Sequence, residues 1–214
     1  MLGDLTKVPH VVRVMGIDPS TTNMGVTVID VDISERKPFK LVYCNTIYGE
    51  KVTYDVPEQY DDTVATGVAA RSFCLARALG TLIDVYMVDW LKEEEESVGL
   101  LLGKSLTGIT EDNFLGMSAL TYKQLVQFVS LSHQEFINRG IHVSNVLPNL
   151  AKDIVGANFR GTTKDDVRKG LLAYDWLDWG DVDLEVTDEH ANDSGAVTLY
   201  RCEVLAKQWG VFRE

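Results

Sequence analysis

The chain has 214 residues, 24% of them charged and 45% hydrophobic, and its 20 Lys+Arg against 32 Asp+Glu leave a net charge of −12. That length supports one globular domain with a full core, and no run reaches the roughly 18 apolar residues of a membrane span. So acidic a balance argues against non-specific coating of nucleic acid, but leaves room for DNA met through a local basic patch or through metal ions.

Residues 1–10 read as a short N-terminal arm, and 11–214 as a single domain. The first stretch lacks an apolar segment with a small-residue cleavage site, so export is not expected. Cys44, Cys74 and Cys202 are odd in number and contain no CxxC pair. They speak against a disulfide framework or a thiolate zinc site, and for a reducing cytoplasm.

Val11–Ile17 is a run of β-branched and apolar residues ending at Asp18-Pro19, the pattern of a buried strand. Ser20–Gly25 is a polar turn. Val26–Val31 and Phe39–Ile47 are further strands, which suggests an antiparallel meander. Tyr60–Trp90 has a wide apolar stripe at helical spacing, including Leu75, Leu79 and Ile83. Lys92–Gly103 holds the acidic run Glu93–Glu96, read as a solvated face.

Ser105–Thr110 is a strand candidate ending at Glu111. Thr121–Arg139 reads as a helix stopped by Gly140, and Ile141–Leu147 as a strand stopped by Pro148. Thr163–Trp176 is a helix candidate with Thr162 or Thr163 as its cap. Thr187–Gln208 is the last helix, with Asp188 and Glu189 in its first turn. The order β-β-β-α-β-α-β-α-α predicts an α/β domain with a mixed five-stranded sheet and parallel crossovers.

Sites in open α/β sheets gather outside the carboxyl ends of strands. Asp18 and Glu111 both stand there, although a turn starter and a surface loop acid are their plainer readings. His190 and Asp193, at i and i+3, share a helix face. Helix-dipole complementarity accounts for Asp188 and Glu189 but poorly for His190, since a cation is disfavoured at that end. Asp, Glu and His are donors that suit Mg²⁺ or Mn²⁺, and clustered carboxylates need such a counter-charge. Arg160, Lys164, Arg168 and Lys169 fall within ten positions around a Gly-Thr-Thr turn and a helix start, where backbone N–H groups favour a phosphate. Asp165 and Asp166 interrupt that run, so helix solubility is the alternative. His133 and His142 are isolated, and Trp90, Trp176, Trp179 and Trp209 read as packing residues.

Four segments together resemble the RuvC family of Holliday junction resolvases, in the ribonuclease H-like superfamily. They are Gly16-Ile17-Asp18-Pro19-Ser20 through Gly25, Glu111 with Phe114 three positions on, Gly156-Ala157-Asn158-Phe159-Arg160-Gly161-Thr162-Thr163-Lys164, and His190-Ala191-Asn192-Asp193-Ser194. They occur in family order and span nearly the whole chain. The stretch 92–105 departs from the family as an insertion, and the chain is more acidic than a junction binder is expected to be. Such divergence suits a phage-encoded member, acting in the host cytoplasm.

The resemblance implies a Mg²⁺-dependent endonuclease, a homodimer that binds four-way DNA and makes paired symmetric nicks. Asp18, Glu111, His190 and Asp193 would hold two Mg²⁺ ions (Mn²⁺ substituting), with 5′-phosphate ends as product. Phe114 would stack on an unpaired base, and Arg160, Lys164, Arg168 and Lys169 would contact DNA. His190 is either a metal ligand or a proton carrier. The competing readings are a ribonuclease H-like nuclease acting on flaps or RNA–DNA hybrids, a catalytically silent binder of branched DNA, and an actin-like ATPase. The chain is too short for the duplicated domain of the last.

Overall fold

The computed structural model describes residues 11–52, 66–95, 104–112, 119–159, 161–183 and 186–210. The arm at 1–10, the core of the expected insertion at 96–103, Phe114 and Arg160 lie outside the described residues.

Three strands open the fold: β1 (Val11–Pro19), β2 (Asn23–Val31) and β3 (Phe39–Tyr48). They pair antiparallel, β1 with β2 and β2 with β3, as the expected meander. A long helical stretch comes next, made of α1 (Thr66–Ile83), a π-helical turn at Asp84–Val88 and α2 (Asp89–Glu95). That one wider turn rotates the downstream face, which accounts for an apolar stripe too broad for a uniform helix. Then come β4 (Lys104–Glu111), α3 (Ala119–Ile137) and β5 (His142–Val146). The chain closes through α4 (Pro148–Ile154), α5 (Lys164–Leu172), β6 (Leu177–Asp178) and α6 (Glu189–Gln208).

The sheet has six strands in the order β5-β4-β1-β2-β3-β6, with β4 parallel to both β1 and β5. The expected five strands are all present. The sixth, β6, is a two-residue parallel pairing of Leu177 and Asp178 with Phe39 and Lys40, too short to show as an apolar run. Pro148 ends the preceding strand as expected, but it also opens a helix. Proline is well suited to the first helical position, where its missing N–H costs nothing. The helix expected at 163–176 stops at Leu172, and Tyr174 and Trp176 instead pack against Phe39, with ring centroids 6.2 and 5.8 Å away.

Alternation along the central strands divides the interior into two cores. Val12, Val14, Ile29 and Val31 meet α4, α5 and α6 on one face. Met15, Ile17, Val26 and Val28 meet α1 and α3 on the other. Arg13 is the polar exception on β1. Its guanidinium forks onto Asp30, its cross-strand partner, at 2.6 and 2.7 Å, donates to the Tyr86 carbonyl and lies 4.0 Å from the Trp90 ring centroid. The three cysteines are free and buried, and Trp176, Trp179 and Trp209 pack against the first core.

The placement of α6 decides where the site lies. On its face of the sheet stand Gly16 and Gly25, where a Cβ would overlap Thr198 and the His190 carbonyl oxygen respectively. Without side chains at these two positions, the helix backbone lies directly on β1 and β2. Small polar groups fill the remaining seam: the Thr27 and Ser194 hydroxyls are 2.7 Å apart, and Ser194 donates to the Ala191 carbonyl. No described helix is long and apolar enough to cross a membrane.

Candidate functional site

A cleft of about 200 Å³ opens at the carboxyl ends of β1 and β4, and Asp18, Glu111, His190 and Asp193 all line it. Three chain segments deliver them. Asp18 leaves the end of β1 and is only 7% exposed. Glu111 ends β4, which runs parallel to β1 and so brings its carboxyl terminus to the same edge. His190 sits in the first turn of α6, and Asp193 follows three positions later on the same face.

Asp188 fixes that helix start. Its side chain accepts the Ala191 N–H at 3.1 Å as the N-cap, and receives hydrogen bonds from the Thr46 and Tyr48 hydroxyls on β3. Burial alone would raise its pKa, but these three donors outweigh it and hold Asp188 below the usual carboxylate range. Asp188 is therefore a structural anion that ties α6 to the sheet, the helix-start role its sequence position suggested.

The carboxylates inside the cleft behave in the opposite way. Burial, and after it the charge of and a hydrogen bond with Asp18, pushes Glu111 up to about 9. Burial and the Asp18 charge also raise Asp193, with Lys152 and His190 opposing. His190 places Nδ1 2.9 Å from an Asp18 carboxylate oxygen, and that hydrogen bond raises the imidazole pKa. Its Nε2 lies 4.0 Å from Glu189. With Asp18 occupying Nδ1, Nε2 is the nitrogen left for any other partner.

Lys152, in α4, is the residue that sequence reading missed. Its ammonium stands 3.5 Å from Asp193 and is the nearest opposing charge to that carboxylate among the described residues. The signal was present in Pro148, which was read as a strand stop and not as a helix start. Lys164 lines the same cleft and pairs with Glu189, so it reaches the site from the first turn of α5. Arg168 and Lys169 are tied back to Asp165 at 2.6 and 2.8 Å along the same helix, at the positions the intervening acids suggested.

Among the described residues, no three His, Cys, Asp or Glu side chains already enclose a metal position. The donor chemistry nonetheless fits a hard divalent cation. Asp18, Glu111 and Asp193 share one partly buried cleft whose lining also includes Asp112 and Glu189, and burial followed by the charge of Asp18 raises the pKa of Glu111 and of Asp193.

No protein-family model matches the sequence, and no curated protein matches it significantly. Solved structures do match over nearly the whole chain. RuvC of Thermus thermophilus superposes with a TM-score of 0.57 at 14% identity, covering 93% of this chain and 97% of that one. The same organism's RuvC in complex with a Holliday junction substrate gives 0.58 at 12%, with 94% and 97% covered. The yeast mitochondrial Holliday junction resolvase gives 0.57 at 9%, with 94% and 82% covered. At such identities the agreement is one of architecture: this chain has the α/β fold of RuvC and of the yeast mitochondrial resolvase, as its motif order led one to expect.

Proposed function

We propose that the protein is a structure-selective DNA endonuclease that resolves four-way junctions, with Asp18, Glu111, His190 and Asp193 as its active site. The observation that carries this reading is the convergence of these four side chains, from strands and a helix whose residues lie as far apart in sequence as Asp18 and Asp193, in one cleft at the carboxyl edge of the sheet. Its fold is that of RuvC, which has been solved in complex with a Holliday junction substrate, and of the yeast mitochondrial Holliday junction resolvase.

Asp18, Glu111 and Asp193, with His190 beside them, would hold two Mg²⁺ ions. When bound, these supply an activated water and neutralise charge on the phosphoryl group and its leaving oxygen. The protein's own groups set the stage for that chemistry. Asp18 orients the His190 imidazole and keeps a proton on it. Lys152 offers a positive charge beside Asp193, where a scissile phosphate oxygen would come to rest. Lys164 reaches the cleft from a helix start and is suited to an adjacent phosphate. Paired nicks require two such sites, so the working unit is a homodimer on branched DNA.

The test is cleavage of an immobile synthetic four-way junction beside matched duplex, flap and RNA–DNA hybrid, in Mg²⁺ and in EDTA. Paired Mg²⁺-dependent nicks confined to the junction are expected. Cleavage of flaps or hybrids instead would keep the site and change the substrate. Binding of the junction with no cleavage of any substrate would overturn the catalytic reading.

A further inference from the structure

Phe159 is the one aromatic side chain among the described residues that is left exposed, at 59%. Leaving a phenylalanine in water forgoes the gain of burying it, although a lone exposed apolar residue needs no special cause. Two further observations single this one out. The first is that the ring is carried on a pinned loop. The Phe159 N–H donates to the Thr162 hydroxyl at 3.1 Å, that hydroxyl donates back to the Phe159 carbonyl at 2.5 Å, and the Thr162 N–H donates to the same carbonyl at 3.2 Å. Gly161, at φ +93°, supplies the left-handed backbone that this reversal needs.

The second is where the loop is anchored. It leaves α4 with the Ala157 N–H bonded to the Lys152 carbonyl at 2.9 Å, and it enters α5 at Thr163, whose N–H and hydroxyl both donate to Asp166. The lysines at these two anchors both bear on the cleft, Lys152 through Asp193 and Lys164 through Glu189. Phe159 is thus a solvated π-face on a hydrogen-bonded turn, lying in sequence between Lys152 and Lys164, whose ammonium groups pair with Asp193 and Glu189 of the cleft, and followed directly by Arg160. An aromatic interleaved with cations is the pattern that takes a base on the ring and its phosphates on the flanking charges.

We propose that Phe159 stacks on an unpaired base of the DNA strand entering the cleft, while Lys164 takes a neighbouring phosphate. This rests on the branched-DNA reading above. It adds a base-binding position separate from Phe114 and limits productive substrates to those with an unstacked nucleotide near the scissile bond.

The test compares wild type with Phe159→Ala, Phe159→Leu and Phe159→Trp. Cleavage of a four-way junction is followed at saturating DNA, and binding in EDTA is followed with 2-aminopurine beside the crossover. The Ala and Leu variants are expected to cut about 5- to 100-fold more slowly and to lose the fluorescence rise on binding, while Trp retains both. All four proteins should unfold at the same temperature, because the side chain is solvated. Wild-type behaviour in the Ala variant overturns the proposal, as does a loss that tracks lowered thermal stability. Failure of the wild type itself to bind or cut a junction would overturn the site reading as well, so the two failures are distinguishable.

Discussion

Glu111→Gln should make the metal-free protein more stable, and increasingly so as pH rises. In the folded chain Glu111 holds its proton up to about 9, against an ordinary value of 4.5. Between those limits the unfolded chain releases a proton that the folded chain keeps. Folding is therefore penalised from about pH 4.5 upward, and the penalty levels off near pH 9. At pH 7 the ceiling is about 3 kcal/mol, from roughly 1.4 kcal/mol per pH unit. Because part of the rise comes from the charge of Asp18 and the hydrogen bond with it, and Gln keeps that bond, a gain of about 1–3 kcal/mol is expected. Gln has nearly the same volume, needs no proton and still donates to Asp18. At about 2–4 °C per kcal/mol for a domain of this size, Tm in EDTA should rise by about 2–12 °C at pH 7 and hardly at all at pH 4.5. Mg²⁺ should then stabilise wild type more than the variant, since it supplies the missing counter-charge. A gain that is equal at pH 5 and pH 8, or a loss at pH 8, would refute the electrostatic account of the cleft.

Asp18→Asn should abolish junction cleavage while leaving gel-shift binding within about threefold, because it removes a charge at constant volume. The same variant should lower the His190 pKa measured by NMR in EDTA, since the Asp18 bond is the first cause of its elevation. An unchanged titration would mean that the 2.9 Å contact does not form in solution. Lys152→Ala should reduce the single-turnover cleavage rate by at least about tenfold, in line with the loss of one charge-stabilising group. Gly25→Ala should cost about 1–3 kcal/mol in denaturant unfolding and eliminate cleavage, because the new methyl meets the His190 carbonyl and lifts α6 from the sheet. Lys164→Ala should weaken junction binding and flatten its dependence on salt concentration.

Much of this was legible in the sequence where burial leaves a periodic mark. β1 and β2 are sunk between two helical layers, so nearly every residue in them is apolar or small, and Asp18 at the end of such a run stood out. The i, i+3 spacing of His190 and Asp193 placed them on one helix face before any contact was known. What failed to show was whatever depends on a partner distant in sequence. β6 exists only because Leu177 and Asp178 fall beside Phe39 and Lys40. Pro148 opens a helix only because the residues after it, Asn149 to Ile154, turn back onto α6, and Lys152 went unseen with them. Spacing could count the cations at 160–169, but it could not tell that Lys164 reaches across to α6 while Arg168 and Lys169 turn back on Asp165.

The direct seating of α6 on β1 and β2 also sets the moment in the protein's life at which the cleft can exist. Synthesis runs from the amino end, so a chain still on the ribosome presents Asp18 and Glu111 long before it has His190 and Asp193. A nascent or interrupted chain ending before residue 189 would carry Asp18 and Glu111 but neither His190 nor Asp193, and nothing to close the site. If the proposed nuclease reading holds, fragments lack the complete site, and cleavage would report that the whole chain has folded.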